Sequence, residues 1–176
     1  KSDTRFPKEE LVGKVSMTRE GYGFVMVEGR EDDIFIPSSK FRGALNNDTV
    51  KIVTNKMRGG AKSGKPRRVE GEVLSIVERS KRPHLGILQA AYGELWLIVE
   101  SRSMPYDILI PKDTLSIYFN GNLPDLKSIS GQKAAVLVTD WSRRMNAPIG
   151  HIVDLLGEPG ANDTEMHAIL AEYGLP

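Results

Sequence analysis

The sequence predicts an all-β chain of two tandem five-stranded barrels followed by a short C-terminal helix. Two observations carry this. Apolar runs are short and cut at close intervals by Gly, Pro, Asn and Asp, and helical periodicity is nearly absent, as in barrels and sandwiches of short strands. Motifs of the first half also return in order in the second. Gly13-Lys14-Val15 is echoed by Gly86-Ile87-Leu88, Asp33-Ile34-Phe35-Ile36-Pro37 by Asp107-Ile108-Leu109-Ile110-Pro111, and Glu70-Gly71-Glu72-Val73 by Ile149-Gly150-His151-Ile152. The offsets of 73, 74 and 79 residues mark a duplicated domain and not a short repeat array.

The expected organisation is an N-terminal extension over residues 1–10, a first barrel over 11–80, a second over 81–157, and a linker with a helix over 158–176. Five strands of the first barrel fall at about Leu11 to Met17, Tyr22 to Val27, Ile34 to Ile36, Thr49 to Thr54 and Val69 to Val77. Turn residues mark the joints: Arg19-Glu20-Gly21, Glu28-Gly29-Arg30 and Leu45-Asn46-Asn47-Asp48. Five strands in a domain of this size match the Greek-key barrel called the OB-fold, whose closure removes exposed edges. Near the C-terminus, Asn162-Asp163-Thr164-Glu165 offers an N-cap to a helix over about Thr164 to Glu172, with Met166, Ile169, Leu170 and Tyr173 on one face.

Side chains alternate along a strand, so Tyr22 and Phe24 share one face and Phe35 takes the matching face of the next strand. Val25, Val27, Ile34 and Ile36 point inward. Aromatic rings on an open sheet stack nucleobases, because every base has a π-face and stacking needs no particular sequence.

Charge is balanced overall, with 24 basic and 23 acidic residues, but it is unevenly distributed. Residues 51–82 carry 10 basic and 3 acidic side chains, and residues 83–176 carry 6 and 11. The positive segment contains Lys56, Arg58, Lys62, Lys65, Arg67 and Arg68, expected on a Gly-rich loop that reaches phosphates beside the rings. Lys14 and Arg19, next to the aromatic stretch, join Lys65, Arg67 and Arg68 as candidate cationic contacts.

Other chemistries fail on spacing. Gly59-Gly60-Ala61-Lys62-Ser63-Gly64-Lys65 imitates a phosphate-binding P-loop, but Pro66 stands where a Ser or Thr hydroxyl would hold magnesium, and a strand follows in place of a helix. Gly21-x-Gly23 fails as a dinucleotide fingerprint because Met26 occupies its third Gly position. His84, His151 and His167 are scattered without ligand spacing, and Glu31-Asp32-Asp33 reads as solvated charge at a turn. No catalytic residue, metal site or small-molecule substrate is expected. The absence of cysteine fits a reducing cytoplasm, no apolar run suits a membrane-spanning helix, and the polar start without Met suggests a segment of something longer.

The ordered motifs, Gly21-Tyr22-Gly23-Phe24-Val25, Asp32-Asp33-Ile34-Phe35-Ile36-Pro37, Gly43-Ala44-Leu45-Asn46-Asn47-Asp48-Thr49-Val50 and Glu70-Gly71-Glu72-Val73, resemble the first cold-shock domain of the ribonuclease R family. Asp107-Ile108-Leu109-Ile110-Pro111, Pro148-Ile149-Gly150 and the terminal Tyr173-Gly174-Leu175-Pro176 extend the likeness over most of the chain. That family, within the wider RNase II/RNB group, is of processive, magnesium-dependent 3′ to 5′ exoribonucleases. The resemblance implies a region that binds single-stranded RNA and passes it to a catalytic domain outside this chain. Magnesium is expected in that domain and no cofactor in this one, and this segment alone is expected to be inactive. Two departures bear on the site. Ser16 and Met17 stand where free-standing cold-shock proteins carry a Trp, and in the second copy Gly93-Glu94-Leu95-Trp96 and Leu109 replace the ring pattern, leaving Trp96 as that copy's one candidate. The runner-up reading is a non-catalytic cold-shock-type RNA chaperone or translation-associated RNA-binding protein, and a third is a protein-docking scaffold.

Overall fold

The computed structural model describes residues 8–60 and 65–157, with 56–60 and 65–67 described by backbone alone. The C-terminal helix expected after Gly157 lies outside the described residues, as do Lys62 and most of the P-loop-like stretch. The chain divides into two units. The first holds residues up to Ser80 together with Arg102–Pro105, and the second holds Lys81–Ser101 and the residues from Tyr106 onward.

In the first unit, β1 (Glu10–Met17), β2 (Gly23–Met26), β3 (Ile34–Ile36), β4 (Thr49–Gly60) and β5 (Lys65–Glu78) close into a barrel in the order β1-β2-β3-β5-β4. All pairings are antiparallel except β3 with β5, where Phe35 lies opposite Glu70. Val, Ile and Thr dominate the strands, and the alternate residues Val15, Val25, Ile34, Ile36, Val50, Ile52 and Val73 are fully buried. Val27, expected inward, falls just past the end of β2 and is half-buried.

Gly71 makes the parallel closure possible. A Cβ there would lie 2.8 Å from the Val53 carbonyl oxygen and 3.1 Å from Ile34 Cγ2, so β3, β4 and β5 meet too closely for a side chain. A second device fixes the strand ends. The buried Asp48 carboxylate accepts hydrogen bonds from the backbone N–H of Leu45 (2.9 Å) and Ser80 (2.8 Å) and from the Arg79 guanidinium (3.1 Å), while Arg79 also donates to the Gly43 carbonyl. Burial raises the pKa of Asp48, and these donors oppose the rise. Asn46 Oδ1 accepts from Met17 N–H at 2.8 Å, so the Asn46-Asn47-Asp48 turn continues the ladder of β1 where β4 has not yet begun.

The second unit repeats the order with β6 (His84–Ala91), β7 (Glu94–Val99), β8 (Ile108–Ile110), β9 (Lys133–Ser142) and β10 (Ala147–Gly157), paired as β10-β8-β7-β6-β9, with β9 also pairing β10. Its one parallel register sets Leu109 opposite Ile149, the counterpart of Phe35 opposite Glu70. Gly150 repeats the crowding at Gly71, since a Cβ there would approach Val136 Cγ1 to 2.6 Å.

Two expectations are corrected. The basic segment is not a free loop, because β4 and β5 extend as a hairpin whose last pair is Gly60 with Lys65. The chain is also not free of helix before its C-terminus: α1 (Lys112–Tyr118) and α2 (Leu126–Ile129) lie between β8 and β9. Helix α1 buries only Leu115 fully and leaves Ile117 77% exposed, so it lacks the apolar stripe that makes a helix visible in a sequence. It is tied to β10 by Tyr118, whose hydroxyl accepts from Leu155 N–H at 3.2 Å.

Two predictions follow from this packing. Gly71→Ala should cost about 1 to 3 kcal/mol of first-unit stability in urea unfolding, because the added methyl overpacks a rigid crossing. His84, in β6, is pulled by burial from its ordinary pKa of 6.5 to about 4. The folded state therefore holds it neutral while the unfolded chain protonates below 6.5, so its contribution is fully present above that pH and is lost as pH falls toward 4. The loss is at most about 3 kcal/mol. Unfolding of wild type and His84→Gln at pH 7 and pH 4.5 checks this, and the variant should show the smaller difference.

Candidate nucleic-acid interface

The first barrel carries one surface on which neighbouring strands align their exposed residues. Phe24 pairs with Ser16 of β1 on one side and with Phe35 of β3 on the other, giving a row across three strands. Tyr22 stands just before β2, where the hairpin between β1 and β2 is held by Thr18, whose N–H and hydroxyl both donate to the Tyr22 carbonyl at 2.9 and 2.7 Å. That hairpin requires Gly21 at φ 99°.

The three rings form a compact triangle. Centroids lie 5.7 Å apart for Phe24 and Phe35, 5.8 Å for Tyr22 and Phe35, and 6.4 Å for Tyr22 and Phe24, with interplanar angles of 64°, 45° and 81°. Tyr22 is exposed and both Phe rings are half-buried, so they show part of their surfaces to solvent while Val25, Ile34 and Ile36 fill the core beneath. Such angled contacts hold rings in place, which lowers the entropy lost when a ligand stacks on them.

Arg68 of β5 places its guanidinium carbon 4.2 Å from the centre of the Phe35 ring. The parallel closure explains this, because Phe35 is registered with Glu70, two residues along from Arg68. Lys14 is exposed on β1, two residues before Ser16 and opposite the exposed Met26. Arg19 is exposed in the turn before Tyr22. Lys65 and Arg67 lie on β5 at the far end of the hairpin, and their side chains are outside the described residues. At this end Arg58 and Arg68 occupy facing register positions.

Trp96 belongs to the second unit. It pairs with Gln89 and with Leu109, so it holds the register position that Phe24 holds in the first, and it is half-buried. Leu109, in the place of Phe35, is only 5% exposed, so this unit lacks the three-ring cluster.

Sequence reasoning missed Ser16, Met26 and Val12 as members of the ring-bearing surface. Val12 and Met26 are 52% and 44% exposed and extend its apolar part, and the strict alternation of β1 was the signal that could have found them. Glu72, at the hairpin's base, has its pKa lowered chiefly by the hydrogen bond from Arg42, at 3.2 Å, which occupies that carboxylate. Among the described residues, no three acidic or histidine side chains gather in a way that could hold a metal ion, and no helix is long and apolar enough to cross a membrane.

Comparison with known proteins bears on the fold and its relatives. Residues 13–71 match the Ribonuclease B OB domain model and residues 96–176 the Cold shock domain model. With the barrel and its ring surface, these define the chain as a pair of OB and cold-shock-type domains. Ribonuclease R of Acidithiobacillus ferrooxidans is 29% identical over 170 residues, covering 95% of this chain and 35% of that protein. The fold matches yeast Ssd1, described as a pseudonuclease, with TM-score 0.68 and 20% identity over 92% of this chain and 24% of that one. It also matches Mycoplasma genitalium RNase R in complex with ribose-methylated single-stranded RNA, with TM-score 0.64 and 16% identity over 91% of this chain and 23% of that one. The chain is thus similar over most of its length to ribonuclease R proteins, of whose own length it spans about a third or less.

Proposed function

We propose that this chain is the single-stranded RNA-binding region of a ribonuclease R-like 3′ to 5′ exoribonuclease, holding RNA for hydrolysis by a magnesium-dependent domain outside the chain. The observation that carries this is the Tyr22, Phe24 and Phe35 cluster on the outer face of the first barrel. A solvent-facing ring cluster above a mainly aliphatic core costs stability in isolation and gains from stacked bases. The similar Mycoplasma protein, solved in complex with ribose-methylated single-stranded RNA, supports the choice of ligand.

The hairpin supplies the second part of the grip. Its segment of residues 51–82 holds 10 basic against 3 acidic residues, and two arginines occupy facing register positions, a concentration of positive charge that a polyanion answers. Phosphate contacts give affinity without sequence preference and weaken as salt displaces them, whereas stacking is nearly indifferent to salt. In this reading the second unit is also an OB-type barrel. Trp96 is its single weak contact, and residues 158–176 form the linker and helix leading to the catalytic domain. A cytoplasmic setting accords with the cysteine-free sequence.

Tyr22→Ala, Phe24→Ala and Phe35→Ala should each weaken binding of a single-stranded RNA in fluorescence anisotropy by about 1 to 3 kcal/mol, with circular dichroism unchanged. Unchanged affinity in a folded variant would defeat the reading. Neutralising Lys65 and Arg67 should lower the salt slope by about 0.7 for each phosphate contact removed, equally on every RNA sequence. End-labelled RNA incubated with the chain and magnesium should stay intact, and progressive shortening would move the chemistry into this segment.

A further inference from the structure

One ring of the proposed grip is already covered. We infer that Arg68 is a stacking residue of the site, whose guanidinium forms the outer layer of a sandwich that holds one base on Phe35, in contrast to a cation that only attracts phosphate. The inference rests on the RNA-binding role proposed above for this face.

Three observations lead there. Arg68 lies 4.2 Å from the Phe35 centroid, closer than any ring in the cluster lies to another. Tyr22 and Phe24 meet Phe35 at 45° and 64°, so neither lies flat against it, and the face that a base would need is the one under Arg68. The position is also fixed by the fold, because Arg68 is brought to Phe35 by the same parallel register that closes the barrel.

A base reaching Phe35 therefore meets a guanidinium first. Stacking on a ring is worth more than an exposed cation–π contact, so the base displaces Arg68 from the ring. The guanidinium is planar and weakly hydrated, and once displaced it closes on the outer face of the base. A lysine would keep the charge and lose the plane. Purines, with the larger π-surface, gain most from two-sided cover, so the Phe35 position takes a purine of single-stranded RNA in preference to a pyrimidine.

The test compares wild type, Arg68→Lys and Arg68→Ala for binding of oligo(A) and oligo(U) by fluorescence anisotropy across a salt series, with thermal unfolding as the check on folding. Arg68→Lys should weaken oligo(A) by about three- to fivefold. It should weaken oligo(U) less and leave the salt slope unchanged. Arg68→Ala should show the same loss together with a shallower slope. Arg68→Lys binding both oligonucleotides as wild type does would overturn the inference, since charge alone would then suffice. Tighter binding by Arg68→Ala would also overturn it, leaving Arg68 as a competitor for the ring. If wild type binds neither oligonucleotide, the RNA reading of the whole face falls, which is a different outcome from either.

Discussion

The first unit depends on one parallel register, Phe35 opposite Glu70. Every other pairing in that barrel is antiparallel; β1 with β4 joins one edge of the β1-β2-β3 meander to the β4-β5 hairpin, and only the parallel pairing of β3 with β5 joins the other edge and completes the ring of strands. It demands close approach, which Gly71 permits, and it buries Ile34 and Ile36 on either side of Phe35. Because side chains alternate, burying those two sends Phe35 outward to meet Phe24 and Tyr22. The candidate site is thus the outer face of the contact that closes the fold, and rigidity of the rings comes with closure at no separate cost.

That link explains what was legible in the sequence. Period-two alternation alone assigns Tyr22, Phe24 and Phe35 to one face, and duplicated motifs alone reveal two copies. Both signals are local, or compare the chain with itself. The contact of Arg68 with Phe35 is neither, because it depends on the register of Phe35 with Glu70, 35 positions along the chain. The reach of the hairpin was hidden for another reason. Gly59, Gly60 and Pro66 are poor strand formers, yet a ladder begun by Val50, Ile52 and Val73 in the core runs out as far as the Gly60–Lys65 pair. Helix α1 was missed because a short helix that fully buries one residue leaves almost no periodic trace.

The two units show which parts of the motif serve the fold and which serve the face. Gly71 and Gly150 recur, as do the two parallel registers, because closure is a geometric requirement on any such barrel. Phe35 becomes Leu109, which is buried, and Phe24 becomes Trp96, which is half-covered. The duplicated architecture has therefore been kept while the outward-facing chemistry diverged.

Asp48 gives the first unit a mechanical property as well. The chain leaves this barrel at Ser80, and its last residues are tied back by Ser80 N–H and Arg79 to the Asp48 carboxylate and by Arg79 to the Gly43 carbonyl. Tension applied beyond residue 80 would load these bonds side by side, so β5 could not be peeled away one bond at a time. The clasp thus passes a pull at the exit of the barrel to the turn before β4, away from the parallel register that supports the rings.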